Sequence, residues 1–226
     1  MNEVKLFTDK KVIVEMTGNR TLHGKLMDVG DDLIVLFHQQ QYLYIPLAHV
    51  HHLKADLMSG NDANGNQPAE LPAEYQIEQI TVAKMLNKAK GLFVEIHVSG
   101  NKPMSGYLTG ILNDYIVVAS PVYGPICVSL QHLKWLIPHP PSHAPYSPNI
   151  GTLSAQHSLN PLSQSFEAQC KQAEGQMVVF DIGGHSEKIG FIKKINSGIV
   201  DFADANGNST FLNIGHVKTL YAPVHG

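Results

Sequence analysis

The chain has 226 residues, 43% of them hydrophobic and only 15% charged, with a formal net charge of −3. This composition excludes a disordered polymer, and the small negative charge excludes a protein that grips polyanions through bulk charge. No apolar run approaches the roughly 18 residues that cross a bilayer, and Met1 to Lys11 is charged throughout, unlike a signal peptide, so cytoplasmic synthesis and no membrane partner are expected.

The first predicted strand, Val12-Ile13-Val14-Glu15-Met16, puts Val12, Val14 and Met16 on one face and Glu15 on the other. A turn at Gly18-Asn19, then Gly24-Lys25-Leu26 and Leu33-Ile34-Val35-Leu36 follow. This segment, residues 1–54, closes on Leu47-Ala48-His49-Val50-His51-His52-Leu53. Residues 55–78 hold five acids, no bases and a Gly-Asn-Asp-Ala-Asn-Gly-Asn run, and read as a loosely ordered acidic linker. In residues 79–139, Val82, Leu86 and Ala89 recur at helical spacing before Gly91, which is placed as a C-terminal cap. Strands then follow at Phe93-Val94-Glu95-Ile96, a turn at Gly100-Asn101, Gly106-Tyr107-Leu108 and Tyr115-Ile116-Val117-Val118. The ending is Leu130-Gln131-His132-Leu133-Lys134-Trp135-Leu136. Residues 140–160, with Pro140, Pro141, Pro145 and Pro148, read as a stiffer linker. In residues 161–226, Leu162, Phe166, Cys170 and Ala173 keep helical spacing before Gly175. Met177-Val178-Val179-Phe180, a turn at Gly183-Gly184, Gly190-Phe191-Ile192 and Ile199-Val200-Asp201-Phe202 follow. Asn206-Gly207 forms a two-residue hairpin turn with both positions tolerating positive φ, and the ending is Ile214-Gly215-His216-Val217-Lys218-Thr219-Leu220.

These are three copies of one pattern. Gly24, Gly106 and Gly190 lie 82 and 84 residues apart, and His49, His132 and His216 lie 83 and 84 apart. Each glycine falls inside an apolar strand, where it weakens the strand but permits a sharp bend. Each histidine is expected at the tight turn before the last strand, its ring bonded to local backbone. His49, His51 and His52 do not make a metal site, because neighbouring strand side chains point to opposite faces and the matching Lys134-Trp135 and Lys218-Thr219 are not ligands. Cys127 and Cys170 form no CxxC pair and read as small buried hydrophobes. Asp28, Asp31 and Asp32 read as a solvated loop. A nucleophile elbow, a HExxH pair, a phosphate-binding glycine loop and paired carboxylates are all missing, so neither enzymatic activity nor a cofactor is expected.

A helix, a bent strand carrying Gly-x-aliphatic and a terminal turn plus strand resemble the Sm-like, SH3-like small barrel. The resemblance implies a mainly β fold of three tandem barrels of about five strands, the second and third preceded by a short helix. The base pocket of Sm-like RNA binders is not retained. Its Asp position holds Gly30, Leu112 and Asn196, its Asn position Ile34, Ile116 and Val200, and its Arg-Gly position Pro46-Leu47, Ser129-Leu130 and Asn213-Ile214. Across the whole chain, the phrases ending at Leu53, Leu136 and Leu220 resemble the spore coat protein B family of Bacillus-type spore formers. That resemblance implies a structural protein of the spore coat, made in the mother-cell cytoplasm, with other coat proteins and self-association as partners. The chain departs from the family in lacking a Ser/Lys-rich tail before Gly226, and in having Thr17-Gly18-Asn19-Arg20 where the family has Gly-Gly-Pro-Glu. The alternative is an Sm-like nucleic-acid-binding module resting on residues 79–139, where five bases face two acids.

Overall fold

Period-two alternation sets the strands, as in Lys11–Met16, where Val12, Val14 and Met16 are buried and Lys11 is exposed. The computed structural model describes residues 2–57, 77–98, 103–140, 161–182 and 188–223. Among these the chain is mainly β, an open antiparallel sheet with three α-helices. The first elements are α1 (Asn2–Lys5), β1 (Lys11–Met16), β2 (Arg20–Val29), β3 (Leu33–His38), β4 (Gln41–Pro46) and β5 (Val50–Ala55). Next come α2 (Val82–Ala89), β6 (Phe93–His97), β7 (Met104–Ile111), β8 (Tyr115–Ser120), β9 (Gly124–Ser129) and β10 (Trp135–Pro138). The last are α3 (Phe166–Gln172), β11 (Met177–Phe180), β12 (Ile189–Asn196), β13 (Ile199–Ala203), β14 (Ser209–Asn213) and β15 (Thr219–Tyr221). A 3-10 turn precedes each fifth strand, at Leu47–His49, Leu130–His132 and Ile214–His216.

The chain divides into two compact units, Met1–Ala89 with Lys134–Pro138, and Lys90–Leu133 with His139–Gly226. In the first the strand order is β10-β4-β3-β2-β1-β5, and in the second β14-β13-β12-β11-β15-β9-β8-β7-β6. The core of the first unit gathers Val12, Val14, Leu26, Ile34, Leu36 and Ile45 with Trp135 and Ile137. That of the second gathers Tyr115, Phe166, Cys170, Phe180, Phe202 and Leu220.

The three glycines sit where one strand crosses closest to the next. A Cβ on Gly24 would lie 2.3 Å from the Phe37 carbonyl oxygen, on Gly106 2.5 Å from that of Ala119, and on Gly190 2.1 Å from that of Ala203. Three residues later the register slips, between Leu26 and Asp28, Leu108 and Gly110, and Ile192 and Lys194. A bulge raises local twist, so the side-chain-free approach and the bulge together bend β2, β7 and β12 in the same way.

Several sequence expectations change in detail. A helix precedes the first set of strands too; α1 has only four residues, too short to show an apolar period. Leu162 lies outside α3, which begins at Phe166 behind the Ser165 cap. At Asn206-Gly207 only Gly207 has positive φ, +81°; the Asp204 carboxylate instead organises a longer turn, accepting from the Asn206 and Asn208 N–H groups at 2.9 Å each. Gly91 and Gly175 do take positive φ (+83° and +78°), and Asp9 does so (+64°) at the matching place after α1. The turns Gly100-Asn101 and Gly183-Gly184, and most of the two linkers, lie outside the described residues.

Candidate functional site

The side chains that recur in register meet at two places, a helix-receiving turn and the fourth-strand edge. The turn follows the bent strand. Asp32 accepts a hydrogen bond from the Val82 N–H at the start of α2 (2.8 Å), and the Asp31 N–H donates to the Ile80 carbonyl (3.3 Å). Asp114, 82 residues on, accepts from the Phe166 N–H at the start of α3 (2.8 Å), and the Asn113 N–H donates to the Gln164 carbonyl (3.2 Å). A carboxylate on the orphan N–H groups of a helix's first turn satisfies a donor and complements the helix dipole. The same residues accept through their backbone carbonyls from the 3-10 turn, Leu47 N–H to Asp32 and Leu130 N–H to Asp114. At the third equivalent position the Ile214 N–H donates to Gly198, which carries no carboxylate. Asp32 and Asp114 thus have a structural role that a solvated-loop reading missed; their 82-residue separation, equal to that of the glycines, was the available signal.

At the edge, the fifth strand of one segment covers the fourth strand of the segment before it. In the first unit Leu136 of β10 stands opposite Tyr44 of β4. In the second, Leu220 and Thr219 of β15 stand opposite Cys127 and Val128 of β9. Counted from the repeat signature, Leu136 and Leu220 are equivalent, and so are Tyr44 and Cys127. Both contacts therefore share one register. The covered strands are buried: Tyr44 and Cys127 are each 1% exposed, and all six residues of β9 are buried.

The three histidines stand at the 3-10 turns, and the rings of His49 and His132 reach groups beyond the local backbone. The His49 ring lies 3.2 Å from the Thr17 hydroxyl, and the Thr17 N–H donates back to the His49 carbonyl (2.9 Å). The Lys134 ammonium donates to the Thr17 carbonyl at 3.0 Å. His132 Nε2 donates to the carbonyl of Gly215, 83 residues away, at 2.9 Å. Burial holds the His132 pKa below its ordinary value, a direction the accepting carbonyl opposes. His216 is exposed. Since the signature places all three at one turn, the different partners of His49 and His132 follow from what lies beside each turn.

Chemistry-bearing groups elsewhere are absorbed by the core. The Tyr115 hydroxyl donates to the Ser163 carbonyl at 2.6 Å and lies 3.0 Å from Gln169 Oε1; burial pushes its pKa up. Cys127 and Cys170 are free and buried, with the Cys127 thiol pushed up to about 12 by desolvation and that of Cys170 well above its ordinary value. Such thiols are poor nucleophiles. Glu95 is held low by its hydrogen bond with His97, 2.8 Å away. Among the described residues no group of three or more His, Cys, Asp or Glu is placed to hold a metal. A depression of about 100 Å³ between Cys127, Gln169, Ala173 and Leu220 is well below the roughly 300–1,000 Å³ of small-molecule sites.

A family model described as the YwrJ third domain matches residues 165–220, which run from the cap of α3 to β15. Over 225 residues the chain is 34% identical to the uncharacterized protein YwrJ of Bacillus subtilis (strain 168), covering 99% of this chain and 100% of that protein. With an end-to-end match at that identity, the chain belongs to the YwrJ family.

Proposed function

We propose that the protein is a structural component of the bacterial spore coat, built as three tandem small Sm-like barrels of about five strands and acting through protein–protein contacts. The observation that carries this reading is the twice-used edge contact, Leu136 on Tyr44 and Leu220 on Cys127. Two of the recurrent features, the carboxylate at the helix-receiving turn and the fifth-strand contact, fit one segment to the next. A segment of about 60 residues buries only about 60% of its unfolded surface and is marginal alone, so strand-on-strand coverage supplies the missing burial. The description "third domain" for the model matching residues 165–220 supports a three-part division. The resemblance of the phrases ending at Leu53, Leu136 and Leu220 to the spore coat protein B family supports the coat, reached after synthesis in the mother-cell cytoplasm. A relative in Bacillus subtilis is in line with that setting.

The test is genetic and cell-biological. A fluorescent fusion is followed through sporulation, and strains lacking residues 1–54, 79–139 or 161–226 are compared for coat localisation and for the protein profile of spore extracts. Expression confined to sporulation, a ring of fluorescence on the spore and a changed extract profile in each deletion are expected. Vegetative expression with unchanged extracts would overturn the assignment. Retention of RNA or DNA at low salt, lost steeply as salt rises, would move the reading to the nucleic-acid module.

A further inference from the structure

Each end of the strand succession carries half of a contact that the chain makes elsewhere. Among the described residues, β5 pairs with β1 on one side only, and β14 pairs with β13 on one side only. Yet β14 is the fourth strand of its segment, equivalent to β4 and β9, which are both covered by a fifth strand. Likewise β5 is a fifth strand, equivalent to β10 and β15, which both lie on a fourth strand. Exposure follows the pairing. At one equivalent position Tyr44 and Cys127 are 1% exposed, whereas Phe211 is 70% exposed. In the fifth strand, Trp135 and Thr219 are buried, whereas the matching His52 is exposed.

We infer that β14 of one molecule receives β5 of a second copy of this chain, antiparallel and head to tail. The inference rests on the proposed assembly function and makes its contact specific. An edge strand with unpaired N–H and C=O groups is a template for another strand, and the two internal contacts set the register. Leu136 opposite Tyr44 and Leu220 opposite Cys127 translate to Leu53 opposite Phe211. Thr219 opposite Val128 translates to His52 opposite Leu212. The Ser129 N–H donates to the Lys218 carbonyl at 2.9 Å, which gives the Asn213 N–H the His51 carbonyl of the second molecule. The His132 contact with Gly215 gives the exposed His216 ring the Ala48 carbonyl of the second molecule. Lys54 would be the main obstacle on β5, since an edge lysine normally repels strand addition. Here its ammonium already pairs with Glu15 on the neighbouring strand, 2.5 Å away. Because the two surfaces are different, the contact is heterologous, and it extends into larger assemblies unless the geometry closes it.

Two measurements decide it. Light scattering on the purified full chain across a concentration series is expected to show mass growing beyond a monomer, and Phe211→Lys to return it to the monomer with an unchanged far-ultraviolet spectrum. In the second, H52C and L212C chains are mixed under mild oxidation. A disulfide-linked dimer is expected in the mixture and in neither chain alone, as Cys127 and Cys170 are buried. Linkage of H52C to itself would show a symmetric contact and overturn the register. A monomer at all concentrations with no link in the mixture would overturn the inference outright. If the segment deletions still altered the coat, the proposed function would stand without it.

Discussion

Gly106→Ala is the sharpest probe of the recurrent bend. The new methyl would sit 2.5 Å from the Ala119 carbonyl oxygen, 2.7 Å from Val118 Cγ1 and 2.9 Å from the Ala119 carbonyl carbon. Ordinary contact for such pairs is 3.4 Å or more, so one backbone must retreat by nearly an ångström. Neither side is free to do so. Gly106 is paired with Val94 of β6 on one flank, and its neighbour Tyr107 is paired with Ala119 of β8 on the other. Overpacking of this kind costs about 1–3 kcal/mol, while the stiffer unfolded chain returns about 0.4–1 kcal/mol. A net loss of about 1–2 kcal/mol in a chain of this length lowers Tm by about 2–8 °C. Thermal denaturation followed by circular dichroism measures it. Gly24→Ala and Gly190→Ala should fall in the same range, since their Cβ atoms meet the equivalent carbonyls at 2.3 and 2.1 Å. Gly215→Ala, whose nearest contact is 3.2 Å from a side-chain oxygen, should change Tm little. A Gly106→Ala protein melting within a degree of wild type would refute the argument that backbone proximity requires this glycine.

Removing the helix acceptor with Asp114→Ala strands the Phe166 N–H and should cost about 0.5–2 kcal/mol; hydrogen exchange at the first turn of α3 should speed up while exchange in β13 does not. Both thiols should be silent to a thiol reagent at pH 8 in the folded protein and react fully in denaturant, because burial raises both pKa values, that of Cys127 to about 12. His132 is held neutral by burial, and a lowered folded pKa means that the unfolded chain binds more protons. Its contribution is therefore present above the ordinary value of 6.5 and lost as pH falls from there through the lowered folded value. Urea midpoints should drop between about pH 7 and 5, and less so in His132→Gln. Asp201 Oδ1 is buried without a hydrogen-bond partner among the described residues; Asp201→Val, matching Val35 and Val117 in the other segments, should raise stability by about 1–3 kcal/mol, and no gain would mean that the carboxylate is satisfied in solution.

What could be read from the sequence was whatever depends on a residue and its near neighbours. The bends at Gly24, Gly106 and Gly190, the burial alternation of β1 and the caps at Gly91 and Gly175 follow from local sterics. So does the placement of the histidines at 3-10 turns. Long-range partners could not be read this way. Nothing around His132 specifies the Gly215 carbonyl as acceptor, and nothing around Asp32 specifies the Val82 N–H 50 positions further on. The edge contacts were hidden for the same reason: β10 and β15 occupy the same place in the repeat signature, and the fourth strand each one covers lies far away in sequence.

Divergence among the three segments is itself informative when set against what each position touches. Positions facing the interior of their own segment keep their character, as Val14, Ile96 and Phe180 do in the first strands, all buried. Positions facing another segment vary with the neighbour. The helix-receiving turn is Asp32, Asp114 and then Gly198, and the carboxylate is present where a described helix starts against it. The fourth-strand position is Tyr44, Cys127 and then Phe211, large and apolar in the one place where it is exposed. An exposed aromatic on a strand edge costs solubility, and a residue of no use there would be expected to drift towards the polar character of its neighbours Ser209, Thr210 and Asn213. Its size and its match to two buried equivalents mark β14 as a surface still waiting for a strand.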